Sequence, residues 1–163
     1  MAFTLDQFSL NGKVAIITGA GGRGNSIGRA YALGFADAGA SVVVADINAE
    51  GAQAVADEII AAGGKAVAVQ VDVADEASTL AMGQAATVAF GGVDILVNNA
   101  GWDIFKPFTK TVPAEWDKLI AINLTGALHM HHAVLPGMVA RGGGRIVNIA
   151  SDAARGGSSG EAV

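Results

Sequence analysis

Between Lys13 and Gly39 the chain reads KVAIITGAGGRGNSIGRAYALGFADAG. The groups here that can do chemistry belong to the main chain. Glycines, lacking a Cβ, let N–H groups approach a phosphate closely, and the helix that follows turns its positive end toward the same charge. A carboxylate, Asp46, closes the next apolar run, 18 residues beyond Gly28. An acid at that place, after a second strand, can accept hydrogen bonds from the hydroxyls of an adenosine ribose. Loop and acid in this order predict a dinucleotide site. The carboxylate would repel a 2′-phosphate, which favours NAD over NADP. Asp46 also reads as the N-cap of the helix that follows it, and the two roles are compatible.

Other polar groups stand out more weakly. Asn98-Asn99-Ala100-Gly101 closes a further apolar run, Ile95-Leu96-Val97. It reads as an ordinary turn or as asparagines holding a sheet edge around a ligand. Trp102 and Asp103 follow directly and either line a substrate side or cover the turn. His129, His131 and His132 cluster, but without cysteine or an acid at ligand spacing they do not predict a metal site. Trp116 and its neighbours read as core or subunit contact.

The elements that must position these groups come from periodicity. Apolar runs recur at 14–17, 42–45, 67–73, 95–97 and 146–149, separated by Ala-rich stretches with helical spacing. The stretch 50–62 stops at Gly63-Gly64. The stretch 75–90 opens on Asp75 as N-cap and stops at Gly91-Gly92, and 113–140 opens on Pro113 with Glu115 in its first turn. Pro136 is expected to end or kink this last helix early. Strands alternating with helices predict an α/β fold, a doubly wound parallel sheet with right-handed crossovers, and unbroken apolar runs predict strands buried on both faces. No linker interrupts residues 1–163, so one domain is expected.

Composition narrows the classes. Apolar residues make up 52% of the 163 and charged residues 15%, with net charge −5 and no cysteine. Such a chain folds, lacks the clustered cations of a nucleic-acid binder, and excludes disulfide and thiolate chemistry. No basic-then-apolar leader opens the sequence and no run approaches the roughly 20 residues of a membrane span. No nucleic-acid or membrane partner is expected, and the expected location is cytoplasmic.

Several stretches together resemble the short-chain dehydrogenase/reductase family, of the single-domain type. They are Thr18-Gly19 through Ile27-Gly28; Asp72-Val73; Asn98-Asn99-Ala100-Gly101; Ile122-Asn123-Leu124-Thr125-Gly126; and Gly144 to Ser151 (GRIVNIAS). The resemblance implies a Rossmann fold with NAD as cofactor. Gly19, Ser26, Ile27 and Gly28 would border the pyrophosphate, with Arg23 in the same loop. Asp46 would take the adenosine ribose, Asp72 and Val73 the adenine, and Asn99, Ala100 and Gly101 the nicotinamide-side ribose. Asn123 would hold a water in a proton relay, a role that suits an asparagine in mid-helix, where propensity disfavours it. Ser151 would hydrogen-bond the substrate oxygen.

Two departures accompany the resemblance. The loop from Thr18 to Gly28 is longer than the commonest family form, with Ser26-Ile27 where Gly-Ile is common. The family's proton-donating tyrosine, with its lysine, falls one position beyond Val163, and the only tyrosine, Tyr31, sits in the first helix. The family's last strands and helices likewise fall outside the 163 residues, and a polypeptide of these residues alone is expected to turn over no alcohol. The reading is an NAD-dependent oxidoreductase interconverting a secondary alcohol and a ketone, with a cyclic alcohol or hydroxyacyl-CoA as substrate class, and a homotetramer when complete. The rivals are a non-catalytic NAD-binding fragment, an NADP-dependent ketoreductase (supported by Arg23) and an S-adenosylmethionine methyltransferase, the last disfavoured by Asn98–Gly101 and Asn123.

Overall fold

The computed structural model describes residues 5–22, 24 and 26–152. Among the described residues five strands form one sheet: β1 (Val14–Thr18), β2 (Ser41–Asp46), β3 (Lys65–Gln70), β4 (Ile95–Asn98) and β5 (Arg145–Asn148). Their order is β3-β2-β1-β4-β5, with every pairing parallel. The chain moves outward from β1 to β3, then crosses to β4 on the other side of β1. That reversal opens a crevice beyond the carboxyl ends of β1 and β4, the place where open α/β sheets bind ligands.

Alternate side chains of each strand feed two cores. Ala15, Ile17, Val42, Val44 and Val97 pack against α1 (Ile27–Asp37) and α2 (Ala49–Ala61) through Ala32, Ala52, Ala56 and Ile59. Val14, Ile16, Val43 and Leu96 pack on the other side against Met82 and Ala86 of α3 (Glu76–Phe90) and Met130, Val134 and Met138 of α5 (Gly126–Ala140). Burial on both faces holds for β1, β2 and β4. The outer strands differ: among the described residues each is paired on one side, β3 half-buried and β5 mostly exposed.

The expected caps form. Asp75 Oδ1 accepts the Ala77 N–H at 3.0 Å, and Gly91 ends α3 with φ 85°. The helix after β2 is capped instead by Asn48, whose Oδ1 accepts the Gly51 N–H at 3.2 Å, which frees Asp46 from the N-cap role. The third strand is shorter than its apolar run. β2 ends at Asp46, whose carbonyl takes the Val71 N–H at 2.9 Å as the last bond between the two segments, and Asp72 Oδ1 turns the chain by accepting the Ala74 N–H at 2.9 Å.

The helical stretch from 113 to 140 is α4 (Pro113–Ile120), a π-helical turn (Ala121–Thr125) and α5 in direct succession. Of the end or kink expected at Pro136, the end is corrected: α5 runs on to Ala140, since buried Val134 and Met138 hold the last turn on the sheet despite the missing N–H. The irregularity lies at the π turn, one of the distortions found at functional sites.

Candidate functional site

The ends of β1 and β4 are clasped by side chains. Thr18, almost fully buried, accepts the N–H groups of Asn99 and Ala100 on its hydroxyl, both at 3.0 Å, and donates to the Val97 carbonyl at 3.3 Å. Asn99 Nδ2 donates back to the carbonyls of Thr18 (2.9 Å) and Gly19 (3.3 Å). These bonds hold the turn Asn98–Gly101 against the start of the glycine loop. Asn98 Nδ2 reaches the other way, to Asn148 Oδ1 at 2.8 Å, and so ties β4 to β5.

Over this clasp lies a groove of about 480 Å³. Gly19, Ser26, Ile27, Gly28, Asp46, Asp72, Val73, Asn99, Ala100 and Gly101 all line it. Ten positions chosen from sequence thus meet in one cleft, although they come from five separate segments. A smaller cavity of about 130 Å³ adjoins it and shares Val73, Asn99, Ala100, Gly101 and Ile122; Asn123, Asn148 and Ile149 are among the other residues of its wall. Ser151 is exposed and follows β5 just beyond that wall. Arg23 lies outside the described residues.

The groove's construction fits a dinucleotide. Gly19 has φ 67°, and a Cβ there would stand 2.9 Å from Ala100 Cα; a Cβ on Gly28 would collide with the Gly19 carbonyl oxygen. Only glycines allow strand end and helix start to approach this closely. The first turn of α1 therefore opens bare onto the cleft, with Ser26 Oγ capping it through the Arg29 N–H at 3.3 Å. Asp46 Oδ2 accepts the Gly21 N–H at 2.8 Å and Oδ1 the Asn48 N–H at 2.9 Å. Each carboxylate oxygen accepts two hydrogen bonds, so one site on each remains for hydroxyls.

Asn123 stands in the π turn. Its Oδ1 accepts the Trp102 N–H at 2.9 Å and its Nδ2 donates to the Trp102 carbonyl at 2.8 Å. The amide therefore grips both main-chain polar groups of the residue after Gly101. Trp102 lines the groove, and Lys118 Nζ lies 4.1 Å from its ring centre; Asp103 instead caps its own segment by accepting the Ile104 N–H. Trp116 is half-buried, stacked on Phe108 with ring centres 5.5 Å apart. The histidines part company: His129 Nδ1 faces the Val73 carbonyl, His131 Nδ1 the Ala127 carbonyl and His132 Nδ1 the Glu76 carboxylate.

Sequence reasoning missed Ile47, Val71, Lys118 and Ile122 as groove walls and Thr18 as the clasp. Lys118 and Ile122 carry a usable signal, since they lie four apart on the helical stretch that bears Asn123. Thr18 carries none, because a β-branched residue closing a strand is ordinary there.

Comparison with known proteins gives the same picture. The model of the short chain dehydrogenase family matches residues 13–163. A D-threitol dehydrogenase of Mycolicibacterium smegmatis is 44% identical over 91% of this chain and 56% of its own length. A 7alpha-hydroxysteroid dehydrogenase of Escherichia coli is 45% identical over 93% of this chain and 58% of its own. The solved structure of a 7alpha-hydroxysteroid dehydrogenase complexed with NADH and 7-oxo glycochenodeoxycholic acid superposes with a TM-score of 0.91 at 43% identity, covering 98% of this chain and 61% of that one. The chain thus spans less than two thirds of the length of these relatives. Sheet, groove and family match agree, and the chain belongs to the short-chain dehydrogenase family.

Proposed function

We propose that these residues form the cofactor-binding part of an NAD-dependent oxidoreductase that interconverts a secondary alcohol and a ketone. One observation carries this reading: the glycine cradle at Gly19 and Gly28 and the half-used Asp46 carboxylate face the same groove. The relatives named for threitol and for a hydroxysteroid act on alcohols, and a cyclic alcohol or a hydroxyacyl-CoA is the substrate class we favour. Residues 1–163 then bind and orient. The start of α1 faces the pyrophosphate, Asp46 the adenosine ribose, Asp72 and Val73 the adenine, and Asn99 to Gly101 the second ribose. When bound, the nicotinamide supplies the hydride acceptor. Ser151 would hold the substrate oxygen, and Asn123 would keep the wall beside it in place through Trp102. Proton transfer is assigned to none of these residues, since Tyr31 lies on α1 against the core beneath it.

The carboxylate decides between the two dinucleotides, because a 2′-phosphate would meet its charge in a partly desolvated cleft. Fluorescence titration is expected to give tighter binding of NADH than of NADPH. Asp46→Ala is expected to weaken NADH about tenfold or more, the worth of hydrogen bonds to a charged group. Tighter NADPH binding by the unaltered protein would overturn the assignment and transfer it to Arg23. For the whole protein we propose a homotetramer and a cytoplasmic location; among the described residues no helix is long and apolar enough to cross a membrane.

A further inference from the structure

Asp46 is fastened to the glycine loop as well as facing the groove. Its Oδ2 accepts the Gly21 N–H at 2.8 Å, and one residue earlier Ala20 donates to the Ala45 carbonyl at 3.3 Å. Gly21 lies directly on the start of α2: a Cβ there would stand 2.9 Å from Asp46 Cβ and 2.9 Å from the Gly51 carbonyl carbon. From the opposite side, a Cβ on Gly51 would run into the Gly21 carbonyl oxygen. The loop thus rests on a joint made by the end of β2 and the first turn of α2. Asn99 holds its other flank at Gly19. Neither Gly21 nor Gly51 is among the residues lining the groove.

The geometry points to Asp46 as the positioning residue of the phosphate loop, so that ribose recognition and pyrophosphate recognition are one coupled unit. This rests on the nucleotide reading above. An asparagine at 46 offers one acceptor oxygen to two main-chain donors, Gly21 and Asn48, and turns an N–H toward the other. The single oxygen cannot serve both donors at once, so the tie to the loop is weakened even though shape is conserved. Charge alone acts the opposite way. A carboxylate near a diphosphate repels it, so a residue that touched only the ribose would, on becoming neutral, increase the gain in affinity from adenosine to ADP.

The two signs separate in a binding experiment with adenosine, ADP and NADH on the unaltered protein, Asp46→Asn and Gly51→Ala, each first shown to be folded by circular dichroism. In Asp46→Asn the ratio of the adenosine Kd to the ADP Kd is expected to fall about tenfold, the loss of a hydrogen bond to a charged group. Gly51→Ala, which disturbs the joint without touching the groove, is expected to weaken ADP and leave adenosine within about twofold. Exchange of the Gly21 amide hydrogen, followed by NMR without nucleotide, is expected to quicken in Asp46→Asn. A ratio that holds or rises, or an unchanged Gly21 exchange rate, overturns the coupling. Should Asp46→Asn not fold, Gly51→Ala decides alone. If the unaltered protein binds neither ADP nor NADH, the nucleotide reading fails, and the ligand-free exchange rate still decides whether Asp46 fastens the loop.

Discussion

Thr18 shows how much of the site rests on groups with no visible chemistry. Its hydroxyl is paired on both sides, taking two N–H groups of the Asn98–Gly101 turn and giving its proton to Val97. Valine has the same shape and none of these capacities. Thr18→Val removes this partner from two part-buried donors and one buried acceptor, and each such loss costs roughly 1–3 kcal/mol. The expected result is a loss of about 3 kcal/mol in urea unfolding with unchanged slope, largely restored by Thr18→Ser. A loss below about 1 kcal/mol would show that the turn does not depend on this hydroxyl. The place of Asp46 on the groove was legible from sequence, because the acid closes the strand that follows the glycine loop and its helix. The bond from Asp46 to Gly21 was not, since it depends on the path of the loop, which residue types alone do not specify.

At the scale of elements, existence was legible and endings were not. Apolar runs located the five strands of the described residues, yet the third run begins two residues late and passes the strand's end by three, because hydrophobicity marks burial and the strand ends where its partner ends. In the helical stretch Pro136 points to an end or a kink, while the break in regularity that the structure shows is the π turn, where Asn123 reaches Trp102. The start of that stretch offers a test. Glu115 accepts the Lys106 ammonium at 2.5 Å and the Val112 N–H at 2.9 Å, so it ties the segment after Trp102 to the first turn of α4. First the Lys106 hydrogen bond, then that of Val112, hold its carboxyl below the ordinary value of 4.5. A folded-state value below the unfolded one means the ionised form stabilises the fold. The contribution is complete above pH 4.5 and disappears as pH falls through the lowered value. Glu115→Gln is therefore expected to melt at lower temperature than the unaltered protein at pH 7, and the difference is expected to close on acidification. Trp116, stacked on Phe108, reports the loosening in near-ultraviolet circular dichroism. A difference that persists undiminished well below pH 4 would mean that the carboxylate's charge plays no part.

For the molecule as a whole, the alternation of strands and helices announced a parallel sheet, but the order β3-β2-β1-β4-β5 is settled by how the crossovers pack, which no single segment encodes. What does remain readable in the sequence is a surface. Leu124, Leu128, Leu135 and Val139 recur at helical spacing along the π turn and α5, and they stand 59%, 59%, 41% and 75% exposed. Another side of the same helix, at Met130, Val134 and Met138, is buried in the core. A helix apolar on both sides has two surfaces to cover, and its own sheet covers one. Contiguous exposed apolar surface on a folded protein marks a contact site, and a second copy of the chain is the partner that a homo-oligomer supplies. Sedimentation at micromolar concentration is expected to show more than one copy. Leu128→Glu with Val139→Glu is expected to give a monomer whose circular dichroism is unchanged, because neither residue belongs to either core. A protein that sediments as a monomer before any substitution would remove the second copy as the partner of this stripe.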